Sequence, residues 1–312
     1  MCTPQAHPSA ARMFAAVLQR ADGAHTLLPF LLEPLRYTVL ALSVNVRRRH
    51  AKNLHVFVSV LAEIAAGAAS GASSWASIDA SIRGSVLSNS ADMALLVADA
   101  ASPFVTADDV MTAVKALDAL MSTLCVVAHV EAATKAASAD KDPDSAPQPP
   151  PVLPHVHATW PFFVSAITGG RDVACRRAFE HIAHIALLCG GDFLRDRFRN
   201  DLWPHMARHL RPAAGFRTRT VVLQFIAKVA SDDRSRDALR AVAMPVATSV
   251  AELLTQGAAL GKDEYDIASH ALESLSSLDG DGVFLLQWRL GRVKLPSLPK
   301  VQHPHANAPL FR

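Results

Sequence analysis

Along the second half of the chain, apolar residues return at steps of three and four, the spacing that puts side chains on one face of an α-helix. Leu153, Val156, Trp160, Phe163 and Ile167 form one such stripe, closed by Gly169 and Gly170. Asp172 is placed to cap a second helix, with Val173, Ala178, Ile182, Ile185 and Leu188 inward and Gly190 and Gly191 at its end. Asp192 is placed to cap a third, carrying Phe193, Leu194, Phe198 and Leu202 and running past Pro204 to Met206 and Leu210. A fourth covers 218–230, with Val222, Phe225 and Val229 inward, and two more fall near 235–254 and 263–278. In the first half, 27–46, 51–66, 92–101 and 107–132 read as helices with less regular stripes. Pro103 after Ser102, and Asp108 and Asp109 beyond it, suit helix entry. The Ser- and Ala-rich stretch holding Gly67, Gly71 and Gly84 reads as a flexible connection. No run of alternating Val, Ile or Thr between tight turns suggests a strand.

The helical pattern repeats. Trp160-Pro161 returns as Trp203-Pro204, and Met244-Pro245 follows at a similar distance. Each proline lies in or at the start of an apolar helix and is followed by a turn and a second helix. Those second helices begin near Asp172, Arg217 and Asp263 and keep the same step. Two helices in about 40–47 residues is the signature of HEAT or armadillo repeats. The fold class expected is therefore all-α, an α-solenoid in which each pair hides its apolar faces against the next. A proline in the first helix of a pair would bend it around its partner.

Residues 137–151, ASADKDPDSAPQPPP, cannot form helix or core and read as an exposed, disordered linker. They separate a helical region, 1–136, from carboxy-terminal repeats over 152–293. Pro296, Pro299, Pro304 and Pro309 mark 294–312 as an irregular tail.

Composition agrees with a helical core: half of the 312 residues are apolar but only 6% aromatic, and glycines number 14. The net charge of +3 gives no footprint for direct nucleic-acid binding. The one dense basic cluster, Arg47, Arg48, Arg49, His50 and Lys52, reads as a solvated helix end, with an import signal or anion patch as the other reading. Cys2, Cys125, Cys175 and Cys189 show no paired spacing and read as reduced thiols. No segment reads as long and apolar enough to cross a bilayer, and the first residues do not resemble an export signal. These features place the chain in the cytoplasm, with the nucleus also open to it, and predict no membrane partner.

Candidate chemistry is sparse. His181 and His184, or His205 and His209, could each give two metal ligands, but no carboxylate or cysteine stands at the matching offset, so neither a metal site nor a cofactor is expected. No nucleophile elbow, phosphate loop or pair of carboxylates in an apolar setting is present, so no catalytic residue is assigned. Trp160, Phe162, Phe163, Phe179, Phe193, Phe198 and Trp203 crowd one segment, and their helical spacing favours repeat core over a binding hot spot. Arg195, Arg197 and Arg199 read as mostly solvated, with Arg197 able to pair with Asp192 or Asp201.

One stretch carries a family resemblance. Leu153-Pro154, His157, Trp160-Pro161, Val164, Arg177-Ala178 with Glu180, then Gly191-Asp192-Phe193-Leu194, Arg197-Phe198, Asp201 and Trp203-Pro204 resemble the carboxy-terminal HEAT region of Tel-two-interacting protein one. That family is the large scaffold of the TTT co-chaperone complex. The resemblance covers 152–210, about a fifth of the chain, and Gly169-Gly170 departs from the acidic and polar residues the family usually has there. It implies a non-catalytic scaffold that binds the other TTT subunits. With the Hsp90 adaptor system it would support folding and assembly of phosphatidylinositol 3-kinase-related kinases, and hence TOR signalling. It implies repeat-core or interface roles for Trp160, Pro161, Arg177, Asp192, Phe193, Leu194, Arg197, Phe198, Trp203 and Pro204. The competing readings are a nuclear-import-type transport adaptor and a helical metal-binding enzyme. The sequence pattern predicts that deleting 140–150 leaves the far-ultraviolet circular dichroism unchanged; a collapse of helical signal would contradict the linker reading.

Overall fold

A computed structural model of the chain describes residues 78–106, 110–138, 152–255 and 260–278, apart from single positions within them, and scattered positions between 55 and 75. The helix expected over 27–46, the Arg47–Arg49 cluster, Cys2, Gly67, Gly71, Asp108, Asp109, residues 139–151 and the tail 294–312 lie outside the described residues. Every regular element among the described residues is helical.

Asp79 starts α1 (Ala80–Ala101): its carboxylate accepts the backbone N–H of Ser81 at 2.8 Å. This helix begins well before the expected residue 92. Its buried stripe includes Asn89 and Ser90 beside Val86, Met93 and Val97, so its apolar period is broken in the sequence. Gly84, expected in a flexible connection, lies inside it with open space around it. A 3-10 turn (Ser102–Phe104), opened by Pro103, leads toward α2 (Val110–Ser138), which runs two residues into the expected linker.

After residue 151 come α3 (Leu153–Thr168) and α4 (Asp172–Cys189). Next is a broken helix made of α5 (Gly191–Arg197), a π turn (Phe198–Leu202) and α6 (Trp203–His209). Then follow α7 (Phe216–Ser231), a 3-10 segment (Arg236–Val242) continuing into α8 (Ala243–Thr255), and α9 (Lys262–Leu275).

Two layers result. Helices α2, α4, α7 and α9 pack in sequence, each on the next, as an inner row. The outer row comprises α1, α3, the α5–α6 segment and the α8 segment; α1 packs on α3, and α5 packs on the 3-10 segment before α8. Each outer helix precedes its inner mate, giving four stacked pairs. The last three inner helices start at Asp172, Phe216 and Lys262, the stride of HEAT-type repeats. One continuous core joins the helices on both sides of 139–151, because α1 packs on α3 and α2 on α4.

The turns show why their residues are needed. Gly190 ends α4 with φ +81°, the left-handed conformation that L side chains avoid. Gly169 has an ordinary φ of −67°. Its role is close approach, since an added Cβ would lie 2.5 Å from Val105 Cγ1. Asp172 and Asp192 are first-turn residues rather than caps: Arg171 and Gly190 hold the cap positions, and neither offers a side-chain cap bond. The carboxylates still meet the positive end of the helix dipole there.

Each repeat proline marks a change in winding or a missing bond. Pro161 sits within α3 and leaves the His157 carbonyl without its helical donor. Pro204 follows the π turn, and Pro245 follows the 3-10 segment.

Two helical stretches do have the length and apolar character to cross a membrane, against the sequence expectation: residues 110–137 and 236–255. Alanines let α2 extend as one long apolar helix. Within the fold, 67% and 56% of these windows are buried against neighbouring helices, and a core helix passes the same composition test.

The aromatic cluster is largely core. Phe163, Phe179 and Phe198 are fully buried, and Phe225 contacts both Phe179 and Phe198 with ring centroids 5.6 and 5.7 Å apart. Trp203 is only half-buried and Pro161 and Pro204 are exposed. Phe198→Ala is expected to cost about 3–5 kcal/mol. Trp203→Ala, read from sequence as a core truncation worth a few kcal/mol, is expected to cost about 1–2 because its side chain is only partly withdrawn from water. Paired urea melts check this; equal losses would show that the Trp203 environment is as closed as that of Phe198.

Candidate protein-interaction surface

Five motif residues meet at the contact between α3 and the broken outer helix. The Trp160 indole N–H donates to Asp201 Oδ2 at 2.8 Å. Phe193 stands edge-on to Trp160, with centroids 5.4 Å apart, and edge-on to His157 at 5.1 Å. The Arg197 guanidinium lies 5.0 Å from the Trp160 ring and 4.8 Å from the Phe193 ring, a cation–π arrangement. It also donates to His157 Nδ1 and lies 3.9 Å from Asp201. Burial, then the Arg197 cation, lower the His157 pKa, which suits a neutral acceptor ring. Burial also lowers the Arg197 pKa, with Asp201 opposing.

The other motif residues are elsewhere. Leu194 and Phe198 are core, and Arg177 belongs to the inner row. Asp192 is exposed and pairs with Arg195 at 2.6 Å, so Arg197 takes Asp201.

The inner row is tied by polar links between successive helices. Asp118 of α2 accepts from Arg177 Nε at 2.5 Å and is bonded to His181 Nε2 at 2.9 Å, both on α4. Arg177 also pairs with Glu180 at 2.6 Å. Burial tends to raise the Asp118 pKa, but the bonds from His181 and Arg177 outweigh it and hold the carboxyl below its usual value. Between α7 and α9, Arg219 and Glu264 form a two-pronged pair: Nε binds Oε1, and Nη2 donates to Oε2 at 3.0 Å. Arg219 Nη1 also reaches the carbonyls of Arg211 and Ala214, each at 3.2 Å. Both residues are almost wholly buried.

Beside these links the inner row presents grooves, the first of them lined in part by Arg177 and His181. One, of about 630 Å³, lies between α2 and α4 and is lined by Met121, Cys125, Glu180, His184 and Leu188 among others. A second, of about 450 Å³, lies between α7 and α9 over Gln224, Lys228, Asp266, Ile267 and His270. His184 lines the first groove and Lys228 the second. Burial, then Lys228, His181 and Arg177, lower the His184 pKa.

The histidine pairs do not converge on a metal: among the described residues no three His, Cys, Asp or Glu side chains are grouped to hold one. His181 is engaged with Asp118, and His209 Nε2 lies 3.5 Å from Cys175 Sγ. Burial and Asp172 push the Cys175 thiol up to about 12, so this pair holds no reactive thiolate. Asp118, Arg219 and Glu264 were not singled out by the sequence pattern. Their partners stand 45–63 residues away, and only a repeat alignment at about that step would have suggested them.

Stacked helix pairs, polar links between repeats and open apolar grooves define a helical-repeat scaffold. Residues 83–225, from the first turns of α1 to the middle of α7, match the family model described as the TTI1 C-terminal TPR domain. Over that stretch the chain resembles the TTI1 C-terminal region, and the likeness begins well before 139–151. The family's label names a shorter repeat, whereas the stride seen here is of HEAT length. No curated protein matches the chain.

Arg219→Ala is expected to destabilise the fold by about 3–5 kcal/mol, because Glu264 would be left as an unpaired buried charge. Pairing Arg219→Met with Glu264→Leu should restore most of it in urea titrations; no recovery would mean the pair is not the source. Asp118 has a folded pKa below its unfolded value, so its contribution is present above the unfolded pKa and lost as pH falls through the folded one. Acid unfolding of Asp118→Asn should therefore be shallower than wild type below about pH 4; parallel curves would remove Asp118 from the acid transition.

Proposed function

We propose that the chain acts as a TTI1-like scaffold that joins partner subunits and, with the Hsp90 adaptor system, supports folding and assembly of phosphatidylinositol 3-kinase-related kinases. The family match over 83–225 carries this reading. The geometry supports the protein-binding part of it. The motif residues His157, Trp160, Phe193, Arg197 and Asp201 lock one outer helix to the next, which is a scaffold's work. The inner face keeps apolar grooves open to solvent, as a surface for other proteins requires. In this reading the chain binds protein and carries out no reaction itself, and it works in the cytoplasm, with the nucleus as a second location.

Affinity purification of the tagged chain from its source cell, with identification of the co-purifying proteins, is the test. Recovery of large kinases together with Hsp90 adaptors is the expected result. Recovery of a Ran-type GTPase with transport cargo would replace this reading with the adaptor one. Stoichiometric metal in the purified protein would revive the enzyme reading.

A further inference from the structure

Closely packed on α3 are α1, α2 and α4, and the broken outer helix is not among them. Its contact with α3 is made by long side chains, and the Arg197 guanidinium is at the centre of that contact. Arg197 lies by the Trp160 and Phe193 rings, stands 3.9 Å from Asp201 and donates to His157 Nδ1. Histidine is the one side chain among these partners whose ordinary titration falls near neutrality.

The bond to Arg197 fixes the state of the ring. A guanidinium can only donate, so Nδ1 must accept, and the hydrogen of the neutral imidazole sits on Nε2. A proton arriving at Nδ1 removes the acceptor that the ring offers Arg197 and sets a second cation against the guanidinium. Partial burial, then the Arg197 charge, already lower the His157 pKa, in line with that conflict.

The other charges on the packed elements have their own places. On the broken helix, Asp192 pairs with Arg195, and Asp196 and Arg199 are exposed. From α4, the Cys189 thiol lies within the field of Arg197, but burial pushes it up to about 12 and keeps it neutral. From α1, the field of Asp92 acts on His155. From α2, Asp118 is held by Arg177 and His181. Asp201 is the carboxylate at the contact, and it already serves Arg197 and the Trp160 N–H.

We propose that this contact is a proton-sensitive latch between repeats: uptake of one proton at His157 Nδ1 expels the Arg197 guanidinium and lets the broken helix swing from α3. The guanidinium gives up its two cation–π contacts, while the Trp160 bond to Asp201 remains. Small rotations between neighbouring repeats set the curvature of a helical stack, so acidification changes the shape of the surface the chain presents. The folded ring has a pKa below its unfolded value. The latch's contribution to stability is therefore present in full above the unfolded pKa and is lost as pH falls from there through the folded one. The latch does not depend on the scaffold reading.

The test is histidine side-chain nitrogen NMR on the labelled full chain, with the His157 signals assigned by their absence in His157→Gln. At neutral pH an unprotonated Nδ1 is expected, with a titration midpoint below that of an ordinary histidine and a rise of that midpoint in Arg197→Gln. Hydrogen exchange, corrected for the intrinsic effect of pH, reads the latch itself. Protection over residues 191–202 should fall between about pH 7.5 and about pH 5.5 in the wild type, and this loss should be absent from His157→Gln. His157 is exposed, so the circular dichroism of His157→Gln should match the wild type. An ordinary midpoint, a midpoint indifferent to Arg197→Gln, or an equal loss of protection in wild type and His157→Gln would overturn the proposal.

Discussion

Phe225 packs against Phe179 of the preceding inner helix and lies nearly parallel to Phe198 of the outer one. This three-ring seam is where two repeats become one body. An alanine-rich helix offers little apolar area by itself, and large rings at a shared position add area that alanine lacks. On either side of the seam the core continues from α1 to α9 largely through Val, Leu and Ala side chains.

Polar links add selection to that packing. A buried guanidinium–carboxylate pair contributes little net stability over an apolar replacement, yet half of it alone is costly. Arg219 and Glu264 therefore penalise any arrangement in which α7 and α9 slide past one another, and Asp118 with Arg177 and His181 does the same for α2 and α4. The outer row uses a different device. Arg197 spans two aromatic rings, His157 and Asp201, so one cation fixes the angle between neighbouring outer helices.

The repeat plan after residue 152 was readable because glycine pairs and prolines punctuate it and the apolar stripes are clean. The amino-terminal boundary of α1 was not, because Ser and Asn occupy buried positions in it. The bilayer-length character of α2 escaped notice because it is built from alanines around a few charges rather than from an obvious greasy run. Trp160, Phe193 and Arg197 were legible as motif residues, and the structure brings them together. Asp192 and Trp203 share the motif but not the contact, since sequence spacing shows which residues share a helix and not which face looks toward a neighbour. The inner-row links were invisible for the same reason: each joins residues from different helices.

The π turn before Pro204 has a consequence for how this segment tolerates change. Leu194, Phe198, Leu202, Met206 and Leu210 are all buried, four residues apart each time. In an unbroken α-helix, four residues overshoot a full turn by about 40°, so this stripe would wind away from the core. The wider turn at 198–202 absorbs part of that overshoot and brings the phase back. It works as a vernier between the two ends of the helix. A one-residue deletion there would leave every side chain in place chemically while turning the downstream half out of alignment with its neighbours.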